Sequence, residues 1–356
     1  MKRKTRILAL LSATIFVLAA ACSVNTTEPP AATGGASTPV TESPASAANN
    51  GQFPLTVSHA FGEIVIESKP ERVVTISWGN QDVPLALDVA PVGMSESNYG
   101  VLDGSRLLPW TNERLAELGV SNPTIFSDTD GLDFEAINAA KPDVILAAYS
   151  GITQEEYDTL SEIAPTIAYP VRPWQTLWRD QILKDAEGMG MEAEGAELIS
   201  ELEAKITETL EKYPRIKGKT AAFIYFSPTD LSTFSIYSPS DPRCAYLLDL
   251  GLIIPDSILT LAKDSDSFYL TISAENADLV SDLDIILTWG SVGEEGLVEA
   301  LQADSLLGSI PAVKRGSIVM LDESPLAAAQ TPSALSIPWA IDEYLSAIAA
   351  AAEKAE

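Results

Sequence analysis

The chain is 356 residues long, enough for two cores of ordinary size and a tail. Its formal charge at neutral pH is −28, and the four basic residues Lys2, Arg3, Lys4 and Arg6 all fall in the first 21 positions, which hold no acid, so the remainder is more acidic still. A surface of that sign repels nucleic acid and anionic lipid headgroups, which excludes polyanion binding.

Residues 1–21 combine a basic start, an apolar run from Ile7 to Leu18 and the small residues Ala19-Ala20-Ala21. That is the pattern of a secretory signal with its cleavage site, and the run is too short and badly flanked for a permanent membrane span. Cys22 directly after the small residues resembles the lipobox of bacterial lipoproteins, which implies a diacylated cysteine as the new N-terminus. The alanine at the third position before it, where leucine is commoner, is a mild departure. Residues 22–52 are rich in Ser, Thr, Ala, Pro and Gly and cannot bury a core. They form a flexible tether reaching roughly 30 Å. With Cys22 acylated, Cys244 has no partner for a disulfide and reads as a small buried residue at a helix start.

Residues 53–171 form a first α/β lobe. Alternation from Pro54 to Ser68 reads as a hairpin turning near Phe61-Gly62. The run Arg72 to Ser77 is a buried strand that exits into Trp78-Gly79-Asn80, followed by a helix near Asp82 to Leu87 and a short strand from Pro91. The stretch Gly131 to Gly151 holds a short amphipathic helix carrying Glu135, a polar break at Lys141-Pro142-Asp143, an apolar strand and Tyr149 at the strand's exit. A further helix and a strand ending at Pro170 complete the lobe. His59, the only histidine, sits in the hairpin and reads as a structural hydrogen-bonding residue, and a single imidazole excludes multi-histidine metal centres. Residues 172–190 read as the interdomain helix, with Trp174, Leu177, Trp178, Ile182 and Met189 recurring roughly at helical spacing.

Residues 191–356 form a second lobe. Met191 to Tyr213 is a long helix whose Leu198-Leu202-Ile206-Leu210 stripe is core and whose acids face solvent. Strands are expected over Thr220 to Phe226 and Thr233 to Tyr237, then a helix opened by Asp241-Pro242-Arg243 and closed at Gly251. The pattern of the first lobe then returns: Glu275 opens a helix, Asp284 precedes the strand Ile285-Ile286-Leu287, and Trp289 lies fourteen residues after its glutamate, as Tyr149 does after Glu135. A helix over Gly296 to Ala303, a strand over Ser317 to Leu321 and a final helix from Pro338 follow. The fold class is α/β, two Rossmann-like lobes joined by a single long helix, with a ligand cleft at the carboxyl ends of the strands. The chain holds no Gly-rich phosphate loop, no HExxH and no GxSxG elbow, so an enzyme is not expected.

The phrases VSHAFGEIVIESKPERVVTI, LDFEAINAAKPDVILAAYSG, LSEIAPTIAYP, YSPSDPRCAYLLDLGL, ISAENADLVSDLDIIL and IPAVKRGSIVML resemble those of substrate-binding lipoproteins of bacterial iron–siderophore importers. The similarity runs from about Thr56 to Leu345. The resemblance implies two lobes linked by one rigid helix, an Fe(III)–siderophore complex in the cleft, no covalent cofactor apart from lipid and no metal bound directly by the chain. It further implies a monomer anchored by its lipid at the extracytoplasmic face of the cell membrane, serving an ABC permease with a cytoplasmic ATPase. Glu135 and Glu275 match the acids that dock such proteins onto permease arginines, contacts that steer and orient more than they bind. Haem- and cobalamin-binding proteins of the same transporter group are the alternative reading. A receptor reporting to a sensor kinase is a third.

A ferric chelate with apolar faces wants flat aromatic walls and arginine forks. The candidates at strand exits or lobe junctions are Trp78, Trp110, Tyr149, Arg172, Trp174, Tyr237, Arg243 and Trp289, with Trp178 and Trp339 read as core. Two or three arginines would balance a ferric tris-catecholate, whereas a tris-hydroxamate needs little charge, and the sequence leaves both open.

Overall fold

The structure, a computed structural model, describes residues 52–355 apart from 129 and 291–295. The signal segment, Cys22 and the tether to residue 51 lie outside the described residues. The chain opens with a two-stranded hairpin, β1 (Leu55–His59) and β2 (Gly62–Ile66). Five strands then form one sheet: β3 (Val73–Thr75), β4 (Gly93–Ser95), β5 (Ile125–Phe126), β6 (Val144–Ala147) and β7 (Thr166–Ala168), all parallel, in the order β5-β4-β3-β6-β7. β3, β6 and β7 are buried along their whole length, as expected of strands covered on both faces. Helices α1 (Asp82–Ala86), α2 (Pro109–Glu117), α3 (Phe134–Ala139) and α4 (Gln154–Ile163) are interleaved with these strands. A reciprocal capping box between Thr153 and Glu156 starts α4, which satisfies two helix donors that would otherwise lack partners.

Two helices follow, α5 (Trp178–Gly188) and α6 (Glu192–Leu210). The second sheet is built from β8 (Ala221–Ser227), β9 (Asp230–Tyr237), β10 (Tyr269–Ser273), β11 (Ile285–Trp289) and β12 (Ile318–Leu321) in the order β10-β9-β8-β11-β12. β8, β11 and β12 are parallel, while β9 runs antiparallel to both its neighbours. Its helices are α7 (Pro242–Asp249), α8 (Asp256–Ala262), a 3-10 helix over Ala274–Val280, α9 (Leu297–Ala303), α10 (Pro311–Arg315), α11 (Pro325–Ala328) and α12 (Ser336–Glu353). The repeat seen in the sequence is thus a repeat of place. α3 with β6, and the 3-10 helix with β11, each supply the strand next to the one that opens its sheet's parallel part.

The helix expected over residues 172–190 starts later than the sequence reading has it. Residues 172–177 are not helical, because Pro173 and a left-handed Trp174 (φ 60°) turn the chain before Leu177 caps α5. α5 packs on α1, β6 and β7 and also on α6. Left-handed Gly190 (φ 67°) ends it, a conformation that glycine adopts without steric cost. α6 lies against both α5 and α12, and α12 covers β11 and β12. Leu202 and Ile206 are buried and Leu198 and Leu210 partly so, which is the stripe the sequence shows. One apolar core joins Val144, Leu146, Trp178 and Ile182 to Leu202 and Ile206 and to the strands of the second sheet, so the lobes share packed interior and not merely a hinge.

Candidate functional site

Strand exits of both sheets converge on a cavity of about 530 Å3, within the range of small-molecule sites. β3 exits into Ser77 and Trp78, β4 into Glu96, β5 into Asp128 and β6 into Tyr149 and Gly151. From the second lobe come Phe223 in β8, Arg243, Phe268, Trp289 at the end of β11, and the segment Ala327 to Thr331 that follows β12. Asn80 sets the first-lobe edge. It is buried, donates from Nδ2 to the carbonyls of Ile76 (2.7 Å) and Tyr149 (3.0 Å), and accepts at Oδ1 from the Tyr149 amide (3.0 Å) and from Gln181 on α5 (3.1 Å). These bonds hold the exits of β3 and β6 side by side, and Tyr149 with them.

Arg243 is the chemically distinctive element of the cavity. Asp241 caps α7 by accepting from the Arg243 amide and also takes a fork from the same residue's guanidinium, Nε to Oδ1 at 3.0 Å and Nη2 to Oδ2 at 2.7 Å. Three rings surround the guanidinium carbon: Tyr237 at 4.4 Å, Trp289 at 5.0 Å and Phe223 at 5.4 Å from ring centroid to carbon. Cation–π attraction and a bidentate pair fix the group before any ligand arrives. Burial works against its charge, and Asp241 more than restores it, holding the pKa above the usual arginine range. The positive charge is therefore largely neutralised in place. The Tyr237 hydroxyl accepts a further bond from Arg243, yet burial still pushes that phenol up to about 12.

The other charges on the wall are acids. Glu96 pairs with Arg106 at 2.6 Å, Glu156 is held in the α4 cap, and Asp128 has its pKa raised by burial, against a hydrogen bond from Ser95, with the Glu96 charge adding to the rise. The cavity thus carries aromatic surface and no net positive field.

Of the residues the sequence singles out, Trp78, Tyr149, Trp174, Arg243 and Trp289 line this cavity. Tyr237 stands behind Arg243 as a wall of its aromatic box. Two candidates lie elsewhere. Trp110 is core: its Nε1 donates to buried Asp82 at 2.9 Å and its ring packs on Trp339 at 5.2 Å. Asp82 also accepts from Thr111 and, at 2.5 Å, from Ser333 in the distant sequence, and burial, opposed by these bonds, raises its pKa to about 6. Arg172 is exposed and pairs with Asp266 of the second lobe at 2.6 Å. Sequence reasoning misses Phe223, Phe268, Tyr99 and the 327–331 segment. Phe223 sits inside a fully apolar strand where nothing distinguishes it from core, and Tyr99 follows the polar exit of β4 without a strand of its own. The Tyr99 hydroxyl crosses the cleft to the Gly290 carbonyl at 3.0 Å.

His59 lies outside the cavity. Its Nδ1 accepts from the Phe61 amide at 3.2 Å and its Nε2 meets the Tyr157 hydroxyl at 3.2 Å, within a cluster with Phe61. Glu135 and Glu275 are both exposed, each in the first turn of the helix that leads into β6 or β11.

Residues 73–325 match the family described as periplasmic binding protein. A probable siderophore-binding lipoprotein of Bacillus subtilis, YfiY, is 26% identical over 280 residues, 75% of this chain and 80% of that protein. The ferric enterobactin-binding periplasmic protein FepB of Escherichia coli is 25% identical over 76% of this chain and 84% of that one. The crystal structure of Streptococcus pneumoniae PiaA in complex with ferrichrome superposes with a TM-score of 0.81 at 50% identity, over 85% of this chain and all of that chain.

Proposed function

The chain belongs to the periplasmic binding protein family, and from that premise we propose that it binds a ferric siderophore in the cavity between its lobes and delivers it to an ABC permease for iron uptake. The observation that carries this reading is the aromatic-walled cavity around Arg243, whose charge Asp241 already meets. Three hydroxamates, each with one negative charge, leave Fe(III) neutral, whereas three catecholates leave a net charge of three units. A wall whose one arginine is met by Asp241, and whose acids include Glu96 met by Arg106, has no surplus of positive charge and suits the neutral chelate. The reading is therefore a tris-hydroxamate of the ferrichrome kind, in keeping with the ligand named for the 50% identical relative. Trp78, Tyr149, Trp174 and Trp289 supply ring faces, and Arg243 turns a fixed guanidinium toward ligand oxygens. No catalytic step is assigned to the site.

Haem suits the cavity less well. His59 has both ring nitrogens engaged away from it, and burial, reinforced by Asp241, drives the Tyr149 phenol well above the ordinary tyrosine range, so a tyrosinate ligand is disfavoured.

Lobes over 53–171 and 191–356 with a junction over 172–190, a lipid on Cys22 after removal of residues 1–21, and action as a monomer at the extracytoplasmic membrane face complete the proposal. Glu135 and Glu275 would meet the permease, with a cytoplasmic ATPase driving import. Their matching positions at the starts of equivalent helices support that role. Tryptophan fluorescence of the full chain, titrated with ferrichrome, ferric enterobactin, ferric citrate, hemin and cobalamin, tests it. Saturable quenching by ferrichrome is expected, and tighter binding of hemin or cobalamin than of any ferric siderophore would overturn it.

A further inference from the structure

After β7 the chain runs outward through residues 171–175 and back to α5, forming a strap over one side of the cavity. Trp174 is its lining residue. Its amide donates to the Ser150 carbonyl at 2.9 Å, and the Thr176 hydroxyl donates to the Ala148 carbonyl at 2.6 Å, so the foot of the strap is pinned to the exit of β6. The indole meets Tyr149 edge-on at 5.4 Å and lies so close over Gly151 that a Cβ there would fall 2.1 Å from its Nε1. Trp174 has φ 60°, a left-handed conformation that is unfavourable for a bulky residue and that its contacts with Ser150, Tyr149 and Gly151 help to hold.

Two further contacts on the strap come from the other lobe, and both end on one residue. Arg172 Nη2 donates to Asp266 Oδ1 at 2.6 Å, and Gln175 Nε2 donates to the Asp266 carbonyl at 3.0 Å. The two donors flank Trp174 in the chain. Asp266 is two residues before Phe268, which lines the cavity. Arg172 does not line it.

We propose that Asp266 is a positioning residue for the ligand: with Arg172 and Gln175 it latches the 171–175 strap across the lobes and holds Trp174 against the bound chelate. This rests on the ferric-siderophore reading above. Arg172 serves the latch and does not meet ligand charge. Because the pair is exposed on both sides, it is weak and screened by salt, which lets the strap open for entry and exit.

Stopped-flow fluorescence of the full chain with ferrichrome as probe separates these roles. Asp266→Ala and Arg172→Ala are each expected to speed dissociation about two- to fivefold, the scale of an exposed ion pair, with little change in association. Because both act on one contact, the double variant should dissociate no faster than either single one, and the swap Arg172→Asp with Asp266→Arg should recover part of the loss. Raised salt should bring the wild type toward the variants. In the ligand-free protein, amide hydrogen exchange over residues 171–175 should quicken in Asp266→Ala. Arg172→Ala weakening ferrichrome while Asp266→Ala leaves both dissociation and exchange unchanged would overturn the latch. Absence of wild-type binding to any ferric siderophore would instead overturn the reading it rests on, while the exchange result would still decide whether Asp266 holds the strap.

Discussion

Trp289 joins two functions in one side chain, since it forms part of the cavity wall and part of the aromatic box that fixes Arg243. Trp289→Ala is expected to weaken ferrichrome binding by about tenfold or more, the scale of a buried aromatic anchor, measured by calorimetric titration. His59 makes a separate prediction. Burial, with the Lys184 charge in support, lowers its pKa from 6.5 to about 4. The folded state therefore binds the proton less readily than the unfolded one. Its stabilising contribution is whole above pH 6.5, falls as pH drops toward about 4, and amounts to on the order of 2–3 kcal/mol. Buried Asp82, its pKa raised to about 6, contributes with the opposite sign over much of that window whether or not His59 is present, so the test is the difference: from pH 6.5 down to about 4 the wild-type urea midpoint should fall relative to that of a His59→Gln variant. At this scale the sequence shows a residue's role where the role follows from local place. Tyr149 and Trp289 end strands, and the ends of parallel strands are where such folds bind. Trp110 and Arg172 look equally exposed to a ligand in the sequence, but their partners, Asp82 and Asp266, are fixed only by tertiary contact.

Between elements, one close constraint lies where α5 packs on α6. Gly195 faces Ala186, and a Cβ there would stand 2.6 Å from the Ala186 Cβ. Gly195→Val is expected to push the helices apart and destabilise the protein by about 1–3 kcal/mol, read from denaturant midpoints, because the shared core runs through this contact. The Leu198 to Leu210 stripe makes α6 legible in the sequence, since its period is helical over a long window. The extent of α5 is not legible in the same way. Trp174 and Leu177 continue its apolar spacing, but Pro173 and the left-handed Trp174 turn the chain, and the contacts that hold that turn, Trp174 to Ser150 and Arg172 to Asp266, are tertiary. The helix opened by Glu275 is likewise a 3-10 helix with a kink at Asn276, a distinction that apolar spacing over so short a run does not resolve. Phe223 remains hidden because a strand buried on both faces shows no alternation to mark which side meets a ligand.

Across the whole molecule, two sheets of like order present their parallel-strand exits to one cavity, and the acids Glu135 and Glu275 begin equivalent helices in each lobe. Replacing both by alanine should leave ferrichrome affinity within about twofold, since both are exposed and neither lines the cavity, and should abolish siderophore-dependent iron uptake in cells. Loss of binding in that variant would show that the acids belong to the ligand site. The repeat in the sequence made this two-lobed plan readable, whereas the latches across the cleft, Tyr99 to Gly290 and Arg172 to Asp266, join residues that no local pattern connects. The most direct test of the central claim is anomalous diffraction at the iron edge from crystals grown with ferrichrome. One iron peak is expected inside the cavity, between Trp78 on one lobe and Trp289 and Arg243 on the other. A peak at the outer surface, or none in crystals of a protein saturated with the chelate, would contradict that claim.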